Sequence, residues 1–98
     1  MKRYITEICE KEIINLRDGI RLGCPCDIEI EAETGRLTAL IVSDRGKLLG
    51  DRGEQLRISW EHVQVIGDDT ILVDIERPPE YKGKKQNNKL LSGLFREG

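Results

Sequence analysis

Apolar and polar positions alternate in short bursts along the first three quarters of the chain, and no burst keeps a helical period. Ile13, Ile14 and Leu16 form the first apolar run, closed by the turn dipeptide Asp18-Gly19. In DIEIEA, residues 27–32, Ile28 and Ile30 alternate with Glu29 and Glu31. That period of two predicts a strand with one face in the core and one in water. Glu33-Thr34-Gly35 reverses the chain, and RLTALIVS, residues 36–43, runs back. This segment is apolar on both faces, with Leu37, Ala39 and Ile41 on one and Leu40 and Val42 on the other, so it should be central or covered. DRGKLLGDRGE, residues 44–54, reads as a long hairpin arm carrying Leu48-Leu49. LRIS (56–59), VQVI (63–66) and ILVDI (71–75) complete the set. Trp60-Glu61-His62 joins the first two as a tight turn or a single helical turn, and Gly67-Asp68-Asp69-Thr70 joins the last two.

Six short strands joined by Gly/Asp turns, with no helix, predict an all-β fold: a small six-stranded antiparallel barrel, whose closure removes exposed sheet edges. The expected core is Ile28, Ile30, Leu37, Ile41, Ile58, Val65 and Leu72. Leu40, Val42, Leu48 and Leu49 then point outward with no evident use inside, which makes them candidates for contact with a partner.

At 98 residues the chain makes one domain. Its net charge of -2 conceals a division. Residues 1–76 carry 10 Lys/Arg against 16 Asp/Glu, a balance of -6, and residues 77–98 carry 6 against 2, a balance of +4. The expected organisation is an acidic body over 1–76, with strands from about residue 12, followed by a flexible basic tail over 77–98. Pro78-Pro79 ends the last strand, and the polar stretch to Asn88 should be unstructured. Leu90, Leu91, Leu94 and Phe95 share one face of a short amphipathic helix over 89–96, which would form only on a partner, another subunit or a membrane surface. Lys2 and Arg3 are followed by charged residues rather than an apolar stretch, and no run approaches the length of a membrane span. A cytoplasmic setting with reduced thiols is the corresponding expectation.

The chain's candidate chemistry is sparse. Cys9, Cys24, Cys26 and His62 are just enough to fill a tetrahedral zinc site, and residues two apart on a strand share a face. Structural zinc sites, however, are built from paired Cys knuckles, whereas here one tight pair is joined by two scattered singles. The preferred reading of Cys24 and Cys26 is as small apolar residues entering a strand, with no metal or other cofactor. Glu29 and Glu31 read as a solvated stripe rather than an acid–base pair, and no phosphate-cradling glycine loop is present, so no enzymatic activity is expected. Lys82, Lys84, Lys85, Lys89 and Arg96 offer phosphate contacts, but with only Tyr81 and Phe95 to stack on bases, an RNA partner is the less favoured reading.

The order of landmarks resembles a known family. Gly19 and Leu22-Gly23 precede the strand headed by Asp27, and Thr34-Gly35 leads into Leu37–Val42 and a glycine-rich arm. Ile58 and Trp60 follow, and then Ile66-Gly67-Asp68-Asp69-Thr70-Ile71-Leu72-Val73. Over about residues 10–76 this is similar to the PRC-barrel domain, in its short single-domain YlmC/YmxH form associated with sporulating Gram-positive bacteria. The sequence departs from that pattern at Ser59, where the family often has Pro before the tryptophan, and in its paired cysteines. The resemblance implies a six-stranded β-barrel without catalytic activity, used by relatives in ribosome maturation and in a photosynthetic reaction centre as a docking module. The expected function is therefore a non-enzymatic, sporulation-associated interaction module with a protein partner or a second copy of itself. An RNA- or ribosome-associated factor and a metal or thiol protein are the alternatives.

Overall fold

Chain reversal at Asp18-Gly19 has a local cause. Gly19 sits at φ +73° and donates its N–H to Asn15 O at 2.8 Å, while Asp18 Oδ1 accepts from Ile20 N at 3.0 Å. In the computed structural model, which describes residues 2–43 and 55–85, this turn joins β1 (Glu12–Asn15) to β2 (Ile20–Gly23). Gly35, also at φ +73°, closes the next hairpin, between β3 (Asp27–Glu31) and β4 (Arg36–Ser43). β5 (Gln55–Ser59) pairs with the other edge of β4. A single 3-10 turn, Trp60–His62, carries the chain into β6 (Val63–Ile66), and Gly67 returns it into β7 (Thr70–Val73).

Among the described residues these strands form two sheets rather than one closed antiparallel barrel of six. The larger runs in the order β6-β7-β1-β2-β8, where β8 is the two-residue Lys84–Lys85, and the smaller is β3-β4-β5. The pairing of β1 with β7 is parallel, Ile13 opposite Ile71 and Asn15 opposite Val73. A sequence read as successive hairpins has no signal for such a pair, because parallel neighbours need a long connection. The fold is nonetheless all-β in character, with one addition at the N-terminus: α1 (Ile5–Cys9), five residues whose first turn is held by Tyr4 N donating to Glu7 Oε1 at 3.2 Å. With only Ile8 buried, α1 has no apolar stripe to betray it in the sequence.

One core fills the space between the sheets. Ile13, Leu22, Ile71 and Val73 come from the large sheet and Leu40, Val42 and Ile58 from the small one, all at 0–1% exposure. Ile8, Ile75 and Tyr81 close its margins. This corrects the expected inward set. Leu40 and Val42 are core residues; of the expected set only Ile58 is fully buried, while Ile28 and Leu37 are partly buried against the core. Ile30 and Val65 are half-exposed, at 56% and 50%. Two irregularities account for the change. A bulge opposite Glu29 and Ile30 pairs Ile28 with Leu40 but Ile30 with Leu37, leaving Thr38 extra on β4, so strict alternation does not carry through the β3–β4 pair. A second register shift separates Val63 from Val65 on β6. On β7 it is Ile71 and Val73 that turn inward, with Leu72 between them only partly buried.

The segment after residue 76 is also corrected where it is described. Expected to be unstructured from Pro79, it folds back over β2 as far as Lys85, and Tyr81 is 1% exposed. The expected arm at 44–54, with Leu48 and Leu49, and the expected helix at 89–96, with Leu90, Leu91, Leu94 and Phe95, lie outside the described residues.

Candidate functional site

The outer face of the small sheet is built around an ion pair. Glu29 on β3 and Arg57 on β5 flank β4, and the guanidinium meets the carboxylate twice, Nε to Oε1 at 3.0 Å and Nη2 to Oε2 at 2.6 Å. Thr38 Oγ1 donates a third bond to Glu29 Oε2 at 2.7 Å. These bonds, Arg57 first and Thr38 second, hold the Glu29 carboxyl down to about 2. Ala39, directly opposite Glu29 in register, is thereby fully covered although its side chain is small. A carboxylate so engaged is a poor general base, and its perturbation reports the bridge rather than a reaction.

Beside this bridge a cleft of about 410 Å³ opens between β5 and the chain leaving β7. Arg17, Arg57, Ser59, His62 and Asp74 line it. Its two arginines are already engaged: Arg17 Nε lies 3.0 Å from Asp74 Oδ1, and Arg57 Nη1 reaches Ser59 Oγ at 3.0 Å while holding Glu29. Neither arginine is left as an open anion site.

The four sequence candidates for a metal do not come together. Among the described residues no group of three His, Cys, Asp or Glu side chains is placed to hold one ion. His62 is in the 3-10 turn at the cleft, while Cys24 follows β2 and directs its Sγ at Glu10 O, 3.7 Å away. Partial burial of that sulfur, together with the charge of Glu12 and the nearness of Cys9, pushes the Cys24 thiol up, away from the thiolate a metal or nucleophile requires. None of the three cysteines is in a disulfide.

What the described surface offers instead is apolar area at a sheet edge. β6 is the last strand on its side of the large sheet, with Val65 half-exposed. Arg3 donates Nη2 to Ile66 O at 3.3 Å and Nη1 to Glu7 Oε2 at 3.1 Å, which sets α1 at the same end of the molecule. Lys11, 5% exposed, fastens that end by donating Nζ to Asp68 O at 2.5 Å. The anchored helix presents Tyr4 and Ile5 to solvent, at 71% and 59%. Sequence reading placed the contact residues elsewhere. Leu40 and Val42 are buried, and Tyr4 and Ile5 carry no periodic signal that marks them.

Comparison with known proteins converges on one family. The family model for the PRC-barrel domain matches residues 1–77. The chain is 40% identical over 76 residues to the "Probable sporulation protein YlmC" of Bacillus subtilis, a match covering 76% of this chain and 94% of that protein. It is 35% identical over 80 residues to YmxH of the same organism, an uncharacterised protein, with the same coverage of 76% and 94%. An uncharacterised protein of Clostridium acetobutylicum is 32% identical over 66 residues, 64% of this chain and 74% of that one.

Proposed function

The chain belongs to the PRC-barrel domain family, and from that footing we propose that it is a non-enzymatic docking module acting in the cytoplasm during sporulation, with a protein partner. The observation that carries this reading is the exposed Tyr4-Ile5 pair, held by Arg3 and Glu7 at the end of the β6 edge, which is open among the described residues. Aromatic and aliphatic residues are what an interface core is enriched in, and an open sheet edge supplies main-chain groups for pairing. The sporulation setting rests on the name of the YlmC relative. Among the described residues no helix is long and apolar enough to cross a membrane.

The test uses tagged chain in a spore-forming host. Wild type should recover a defined partner during sporulation, and Tyr4→Ala/Ile5→Ala or Val65→Glu should lose it while melting as wild type does. Recovery unchanged in both variants removes this surface from the function. Normal spore yield in a deletion strain removes the sporulation setting. A salt-sensitive mobility shift with RNA, together with no protein partner, would replace the reading with the nucleic-acid one.

A further inference from the structure

The two edges of the large sheet are treated differently: β6 is open among the described residues, whereas β2 is covered by the segment that follows the family-matched region. The cover is specific. Tyr81 enters the core and its hydroxyl donates to Leu22 O at 2.6 Å. Two residues on, Gly83 takes φ +59° against β2, where a Cβ would stand 2.6 Å from Arg21 O and 2.7 Å from Ile20 Cγ2. Only glycine fits there. Lys84 and Lys85 then pair antiparallel with Arg21 and Ile20. A side-chain slot, a backbone contact that reads glycine and a short ladder are the parts of a strand-addition site.

The covering segment is joined to the body through Pro78-Pro79, with a turn in which Tyr81 N donates to Pro78 O at 3.0 Å. Arg77 holds the base of the turn, its Nε 2.9 Å from Asp18 Oδ2 and its Nη1 donating to Tyr81 O. Overall charge favours the same segment wherever it comes from: the sequence Tyr81–Lys85 is basic, and the body has a balance of -6 over residues 1–76.

We propose that the β2 edge, with the Tyr81 slot over Leu22, is an acceptor site for an extended basic Tyr-x-Gly-Lys strand. In the monomer residues 81–85 fill it, and at high concentration the same segment of a second copy does. Exchange between copies keeps the Tyr81 hydroxyl bond, the Gly83 contact and the Lys84–Lys85 ladder, and gives up the Pro78–Tyr81 turn bond as the proline-stiffened connection takes a new path, the condition under which strands swap between protomers.

Two measurements test this on the full chain. A labelled peptide of residues 77–85 should bind Tyr81→Ala saturably, and at least tenfold more weakly both to wild type, whose own strand competes, and as a peptide with valine in place of Gly83. Gly83→Val is the second acceptor, in case Tyr81→Ala does not fold. Absence of binding to whichever variants fold, or equal binding to wild type, overturns the acceptor site. For the occupant, two differently tagged wild-type chains refolded together at high concentration should give a mixed dimer that Gly83→Val fails to form. A wild-type chain that stays monomeric throughout overturns the second-copy assignment.

Discussion

Asn15 extends the parallel β1–β7 ladder with its side chain: Nδ2 donates to Ile75 O and Oδ1 accepts from Ile75 N, both at 3.0 Å, at 0% exposure. The ladder's backbone pairs end at Asn15 and Val73, and the amide satisfies the next main-chain donor and acceptor in their place. Asn15→Leu fills the volume but leaves both Ile75 groups buried and unpaired, at about 1–3 kcal/mol each. Urea unfolding of Asn15→Leu should show a loss of about 2 kcal/mol or more. A midpoint unchanged from wild type would mean that water replaces the amide.

The faces of β4 give the sharpest contrast. Leu40→Ala should cost about 2–5 kcal/mol, and Leu40→Asp should prevent folding, because the side chain is fully enclosed between the sheets. Ile30→Asp, at a position 56% exposed, should fold and unfold cooperatively within about 1 kcal/mol of wild type. Thermal melts of the pair decide which face is inward, and the reverse order would refute the packing described above.

Glu29 makes stability depend on acid. Its carboxyl is held at about 2 against an ordinary 4.5, so the folded chain binds fewer protons than the unfolded one in that interval. The contribution of the bridge is therefore fully present above about pH 4.5 and is lost as pH falls toward 2. Glu29→Gln should flatten the fall in Tm across that window and leave the curve above it parallel to wild type. Equal slopes in the two proteins would show that the bridge does not persist in solution.

Cys24 should be a slow thiol. Partial burial of its sulfur and the neighbouring Glu12 charge raise its pKa from the ordinary thiol value, so at neutral pH less of it is thiolate than in a free cysteine. Alkylation followed by peptide mapping should find Cys24 modified more slowly than free cysteine, and faster in Glu12→Gln. Zinc bound at one equivalent and lost in Cys24→Ser/Cys26→Ser would contradict the separation of the four candidate ligands.

Turn chemistry and the positions of six strands along the chain were legible from the residues alone. Asp18-Gly19, Glu33-Thr34-Gly35 and the WEH helical turn stand where local backbone preference puts them, and six of the strands follow from runs of β-branched and aliphatic residues. Such signals are local, arising from φ freedom, side-chain branching and alternation, so one segment is enough to read them. The family was legible too, because it lies in the order of these same landmarks.

What only the tertiary structure decided is everything that needs a second segment. RLTALIVS is apolar on both faces, so its alternation names two faces without ranking them. The ranking came from the Glu29–Arg57 bridge laid over one side and the Ile28–Leu40–Ile58 row packed on the other. The parallel β1–β7 pair, the Asn15–Ile75 bonds and the return of Tyr81 to Leu22 each join residues about sixty positions apart. A polar, lysine-rich stretch such as EYKGKK carries too little apolar surface to predict its own order. It is ordered because a core with room for one tyrosine, and a strand edge close enough to admit only glycine, were already there to receive it.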